Sequence, residues 1–232
     1  MRNEVTIDLE TLDVPGSKKK LPLILSIGAC LFDSDTLNDY EHFTGDVDAF
    51  ASRIQGGGCF ATEKLYYSPV SLIDSMANGF TISPDTAKYW GKQSYNMVEQ
   101  AAGFRDKVAH TFKDFANWLR YVKAQRVLAN APTFDLNILR EAFEHMGLEI
   151  EIHFRAERDV RGKVEMMDVQ WPKDNPPHLI QHHAVCDAIV EARLVQTMYE
   201  KRRYWMGLEA ENEKLRAQLT EHEQLKSQLV TP

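Results

Sequence analysis

Six residues near the start of the chain, Val5-Thr6-Ile7-Asp8-Leu9-Glu10, constrain its fold more than any other stretch. Val5, Ile7 and Leu9 are apolar at every second position, the pattern of one buried face of a strand. Side chains of a strand alternate between faces, so Asp8 and Glu10 stand together on the opposite one. Two neighbouring carboxylates repel each other, and burying them is costly without a positive partner. A hard divalent cation held by oxygen ligands meets that need. Taken alone, the pair fits a solvated strand edge equally well, so further ligands must come from elsewhere in the chain.

Composition permits such a site in one ordinary domain with an appendage. A chain of 232 residues buries ~70% of its unfolded surface. With 44% hydrophobic and 26% charged residues, it has a globular balance. No apolar run approaches the ~20 residues of a membrane span, and Met1-Arg2-Asn3-Glu4 lacks the character of a signal peptide. Cys30, Cys59 and Cys186 are odd in number, scattered and without a CxxC pair. They read as free thiols in a reducing cytoplasm, and argue against a zinc site or disulfide framework. A net charge of −7 does not advertise a nucleic-acid binder, but it leaves room for a local basic groove or for binding through metal ions.

Along the chain, Asp13 to Lys20 is a polar loop turning at Pro15-Gly16 with Lys18-Lys19-Lys20 solvated. Leu21 to Asp33 reads as a central strand. Asp39 to Thr44 alternates Tyr40, His42 and Thr44 against Glu41 and Phe43, and reads as the next antiparallel strand. Residues 46–64, with the flexible tip Gly56-Gly57-Gly58, form an excursion between strands. Val70 to Leu72 resumes the sheet or leads into a helix over Ile73 to Ala77. Ser83-Pro84-Asp85 opens a helix carrying Thr86, Tyr89, Trp90 and Gln93. Thr111 to Lys123 places Phe112, Phe115, Trp118, Leu119 and Val122 at helical spacing. Arg126 to Ala129 is a short strand, and Phe134 to His145 an amphipathic helix closed by Gly147. His153 to Asp168 is charged and irregular. After the break at Asn175-Pro176-Pro177, Ile180 to Trp205 reads as a long helix.

Two more acids fall at informative places. Asp135 starts the helix that follows the Arg126–Ala129 strand, and Asp187 follows His182 by five residues. A DxE strand, an acid at a strand-to-helix turn and H-x4-D late in the chain form a specific combination. Carried by IDLET (7–11), SIGACLFD (26–33), NAPTFDLNIL (130–139) and HHAVCDA (182–188), the chain resembles the DEDDh 3′–5′ exonucleases of the ribonuclease H-like fold over residues 4–196. Thr86, Trp90 and Gln93 are similar to a T-x3-W-x2-Q element of the ribonuclease T-like branch that bacteria and phages encode.

The resemblance implies an α/β domain with a mixed five-stranded sheet flanked by helices. It implies that Asp8, Glu10, Asp135 and Asp187 hold two Mg²⁺ or Mn²⁺ ions ~4 Å apart, and that His182 is the general base. Thr11 and Leu12 would grip the terminal nucleotide at its free 3′-OH, and Trp90 and Phe134 would stack bases. The implied activity is release of nucleoside 5′-monophosphates from single-stranded RNA or DNA. A catalytically silent nucleic-acid-binding or adaptor protein on the same fold, or an oligoribonuclease-like enzyme on very short substrates, are the alternatives.

Several neighbours have plainer readings. His183 obeys no spacing rule and reads as a supporting or surface residue, Cys186 as a small core residue, and Trp90 fits ordinary core as well. Arg155, Arg158, Arg161 and Lys163 fit phosphates or a solvated loop, since Glu157, Asp159 and Glu165 interleave them. The family's glycine-rich stretch before the third acid is here Leu128-Ala129-Asn130-Ala131. Its paired tryptophans are Tyr89-Trp90, and its Arg-Asp-x-Arg-Thr element is Arg158-Asp159-Val160-Arg161-Gly162. From Gly207 on, Leu208, Leu215 and Leu229 fall on a seven-residue repeat with His222 at the intervening position and Asn212, Leu219 and Lys226 on the other seam, a short, impure coiled-coil pattern. This divides the chain into an exonuclease domain (1–204) and a helical tail (205–232). The tail predicts a homo-oligomer such as a dimer, with a solvated helix as the alternative.

Overall fold

A computed structural model describes residues 3–14, 21–93, 97–173 and 175–230; the Pro15-Gly16 turn and Lys18 to Lys20 lie outside them. In chain order the elements are β1 (Glu4–Thr11), β2 (Ile24–Phe32), α1 (Glu41–Thr44), α2 (Val47–Gln55), β3 (Phe60–Ala61), β4 (Leu65–Pro69), α3 (Leu72–Ala77), α4 (Pro84–Trp90), α5 (Met97–Gly103), α6 (Val108–Val122), β5 (Arg126–Ala129), α7 (Asp135–His145), β6 (Glu157–Asp159), α8 (Val160–Met166) and α9 (Ala184–Val230). The strands form one 6-stranded sheet in the order β3-β4-β2-β1-β5-β6. β1–β2 and β2–β4 are antiparallel, whereas β1–β5 and β5–β6 are parallel. This is a mixed sheet flanked by helices, as expected. The sixth strand beyond the five expected is the two-residue β3, which extends the sheet beside β4.

β1 places Val5, Ile7 and Leu9 in one core, against Phe112, Phe115 and Phe143 of α6 and α7. On the other side of the sheet a second core joins Cys30, Phe32, Tyr67 and Leu128 to Val185, Ile189 and Val195 of α9. The alternation of β1 therefore separates two filled layers, and the acids face the α9 layer. Thr6, on the acid side, donates its hydroxyl to Ala188 O at 2.7 Å and so ties β1 to α9.

Three expectations need correction. Asp39 to Thr44 is not a strand: Asp39 Oδ1 accepts from His42 N–H at 3.1 Å, and the chain turns into α1. The third long strand is Leu65–Pro69 instead, buried throughout, so it shows no polar alternation. Residues 46–64 are an excursion between β2 and β4 as expected, and it holds α2, capped by Asp46 accepting from Ala49 N–H at 2.8 Å. His153 to Asp168 contains β6 and α8.

The last helix starts at Ala184 rather than Ile180, because His182 takes a left-handed φ of 59° that no helix continues through. It then runs past Trp205 to Val230 without a break. Gly147 closes α7 as expected, with φ 65° and Leu148 N–H donating to Phe143 O at 2.8 Å.

Candidate active site

The site forms where β1, β5, α7 and the start of α9 meet. β1 delivers Asp8 and Glu10 on one face. Asp135 opens α7, where backbone N–H groups of Ala131, Leu9 and Asp135 itself point at its carboxylate. Asp187 lies in the first turn of α9, where the helix dipole favours an anion. Its Oδ2 accepts the His182 N–H at 3.0 Å, and Asn175 Nδ2 donates to Oδ1 at 3.4 Å. The left-handed turn at His182 thus orients the acid and returns the imidazole towards it.

One glycine decides how close α9 comes. Gly28 pairs with Asp8 across the β1–β2 ladder, and a Cβ there would lie 2.1–2.3 Å from backbone atoms of Ala184 and Val185. Only a residue without a side chain lets the helix rest on the strand at that point.

The result is a cleft of about 280 Å³ lined by Asp8, Glu10, Asn130, Trp171, Asn175, His182, Asp187 and Glu191, among others. Ligand atoms of Glu10, His182 and Asp187 all lie within 4.8 Å of one another. Asp8 and Asp135 fall outside that mutual distance but act on the same charges. Burial raises the pKa of Asp8 well above the carboxylate range, and repulsion from Glu10, Asp187 and Asp135 adds to it. Glu10 is raised for the same reasons, and burial lifts Asp135 and Asp187 each to about 7. Asp8 Oδ2 is shut off from solvent without a hydrogen-bond partner. An all-oxygen acid set with an orphaned carboxylate oxygen suits a hard divalent cation. A larger hollow, of about 760 Å³ beside α6 and β3, shares none of these residues.

His182 is half-buried, and burial lowers its pKa, so the imidazole is neutral at pH 7. Its Nε2 lies 2.9 Å from Tyr89 Oη. His183 is no surface residue: it is fully buried, its ring 4.3 Å from that of Tyr67. Burial holds its pKa down at about 3. Cys186 is buried, its thiol pushed up by burial.

The residues expected to grip substrate sit differently. Trp90 is 5% exposed, and its indole N–H donates to Thr11 O at 2.9 Å. The ring braces the end of β1 and has almost no free face for a base. Leu12 is 2% exposed, its N–H bonded to Leu23 O and its carbonyl to Ser83 N–H. Thr11 donates its hydroxyl to Asp13 O at 2.9 Å. Phe134 is half-buried, packed on the main core. The rings with open faces are Tyr89 and Trp171, 42% and 38% exposed. Arg158 spends its guanidinium on Arg155 O and Glu157 O, and Arg161 Nε donates to Asn130 Oδ1 at 3.3 Å.

Beyond the expected residues, the structure adds Gly28, Asn175 and Glu191. The sequence signal for Glu191 was its spacing of four from Asp187, which puts both acids on one helix face.

The profile of the 3′–5′ exoribonuclease Rv2179c-like domain matches residues 3–199. The chain belongs to that family. The 3′–5′ exonuclease reading of the sequence agrees with that family, which is one of nuclease enzymes acting on nucleic acid. Among solved structures, the exonuclease is similar to the nuclease domain of 3′hExo, a DEDDh family member bound to rAMP. Identity is 12% over 84% of this chain and 90% of that one, with a TM-score of 0.49. Cell-death related nuclease 4 (CRN-4) matches at 11% identity over 85% of this chain and 64% of that one, with a TM-score of 0.42. No curated protein sequence matches the chain.

Proposed function

We propose that this chain is a divalent-metal-dependent 3′–5′ exoribonuclease that removes nucleoside 5′-monophosphates from the free 3′-OH end of single-stranded RNA. The observation that carries the reading is the convergence of Glu10, Asp187 and His182 within 4.8 Å, in a cleft that Asp8 shares. RNA rather than DNA follows the description of the family.

In this reading Asp8, Glu10, Asp135 and Asp187 hold two Mg²⁺ or Mn²⁺ ions. When bound, such ions lower the pKa of water and stabilise charge on the leaving oxygen. His182, neutral because burial lowers its pKa, takes the proton of the attacking water at its free nitrogen valence. Tyr89, hydrogen-bonded at Nε2, holds the ring in place. Trp90 fixes the Thr11 carbonyl and with it the end of the DxE strand, while Tyr89 and Trp171 offer ring faces to the last bases. Residues 1–204 form the catalytic domain of a cytoplasmic enzyme. Residues 205–232 form a tail whose Leu208–Leu215 seam, with Leu215 exposed, pairs with a second copy.

The test uses 5′-labelled RNA and DNA oligomers with Mn²⁺ or chelator. Stepwise shortening of RNA that needs metal and is blocked by a 3′-phosphate is expected. Cleavage of circular and 3′-blocked substrates at the same rate refutes the polarity, and binding without cleavage favours a silent binder.

A further inference from the structure

The roles above leave one carboxylate in the cleft unused. Glu191 is 2% exposed and lies one helical turn beyond Asp187 on the same face of α9. The backbone N–H of Asn130 points at its carboxylate. Its Oε2 nevertheless is buried without a hydrogen-bond partner, and the side chain lines the same cleft as Asp8, Glu10 and Asp187. Asp8 Oδ2 is the other cleft carboxylate oxygen in that condition.

Leaving a buried acceptor unmet is costly, and more so for a charged group. The cation that acts on Glu191 is Arg161. That side chain is exposed and engages Asn130 Oδ1 at 3.3 Å, so it offsets little of the crowded negative charge. A glutamine at this position would meet Asn130 equally well, and an apolar residue would fill the same volume without an orphaned oxygen. The negative charge of Glu191 therefore has a use only towards a cation in the cleft.

We propose that Glu191 is a further ligand of the cation site, which then draws on five carboxylates rather than four. The inference rests on the reading that these acids hold divalent cations. Hard cations take six or more oxygens, and an additional anionic oxygen raises affinity, so the site stays loaded at lower cation concentration.

The test needs no turnover. Mn²⁺ alone is titrated into the full chain and into E191Q and D187N, followed by calorimetry, with a melting curve of each protein in chelator. E191Q is expected to bind Mn²⁺ roughly 10–100-fold more weakly than the wild type, the range seen when groups supporting a metal site are lost. In chelator it should melt at or above the wild type, because a buried acid crowded by Asp135 and Asp187 has been replaced by a neutral group. Unchanged Mn²⁺ affinity in E191Q beside weakened binding in D187N overturns the role of Glu191 and leaves the metal reading standing. A wild type that binds no Mn²⁺ overturns the metal reading itself. An E191Q protein that fails to fold, or melts below the wild type in chelator, also overturns the proposal, since Glu191 would then be a structural acid.

Discussion

Between Ala184 and Met198 the last helix is embedded in the protein, with Val185, Ile189 and Val195 fully buried against the sheet. From Arg202 to Thr220 the same helix has no buried side chain, and Tyr204, Trp205, Met206, Leu215 and Leu219 stand in solvent. Nothing in the backbone marks the change, because the helix is continuous over 47 residues, about 70 Å at the rise of an α-helix. The embedded half is helical because a sheet covers its apolar face. The bare half has only intrinsic propensity and local pairs, which sustain an isolated helix marginally in water. The proposed site follows the same division, since Asp187 and Glu191 both lie on the embedded half.

That contrast breaks first at Asp187. Asp187→Asn should lower turnover by at least ~10³-fold, a loss of roughly 4 kcal/mol of transition-state stabilisation. In chelator the variant should melt about 2–4 °C higher, as for a relief of repulsion of about 1 kcal/mol in a chain of this size. If it melts lower in chelator and keeps its activity, the embedded half does not carry the chemistry.

His182→Ala should cost ~10²–10⁴-fold in turnover with Mn²⁺ binding retained, the range for a lost general base. Its neighbour should behave as core. His183→Ala leaves a gap beside Tyr67, so it should destabilise by about 2–3 kcal/mol while turnover per folded molecule changes little. Exchange of these two phenotypes would mean that the wrong histidine has been assigned.

Gly28→Ala tests what seats the embedded half. The added methyl meets backbone atoms of α9, which cannot rotate away as a side chain would. A destabilisation of about 3 kcal/mol, the upper part of the overpacking range, is expected with loss of activity. A variant of wild-type stability would show that α9 shifts freely and that the glycine does not place Asp187.

The buried imidazole just before this half gives a pH signature. Folded His183 has a pKa of about 3 against ~6.5 when unfolded. The unfolded chain therefore binds the extra proton between those values, and stability falls on acidification through that window. The acids with raised pKa act in the opposite sense, since the folded state takes up their protons first. The difference between wild type and His183→Phe isolates the imidazole: from pH 7 to pH 5 the wild type should lose about 2 kcal/mol relative to the variant. Parallel stability curves for the two proteins would refute the buried neutral histidine.

The smallest effect belongs to the bare half. Truncation after Tyr204 removes no described side chain that is buried, so melting temperature and turnover should stay within error while light scattering reports a lower mass. An unchanged mass would assign any oligomer to the domain, and a large drop in stability would erase the distinction between the halves.

The parts of this protein legible in the sequence are those in which a short stretch carries its own pattern. The alternation of Val5 to Glu10 predicts both faces of β1, Asp135 is recognisable by its place between a strand and a helix, and the spacing of Phe112, Phe115 and Leu119 predicts α6. Local periodicity encodes which side of an element is buried, and needs no knowledge of the covering partner. It fails where burial is complete or the deciding contact is distant in sequence. Leu65–Pro69 has no polar face to alternate, Gly28 matters only because Ala184 rests on it, and Trp90 turns inward because the Thr11 carbonyl accepts its N–H. The last helix starts only after His182, whose left-handed turn sends its N–H back to Asp187. Those features arise from approaches between residues far apart in the chain or from a backbone turn closed by a single acid, and only the assembled fold brings them together.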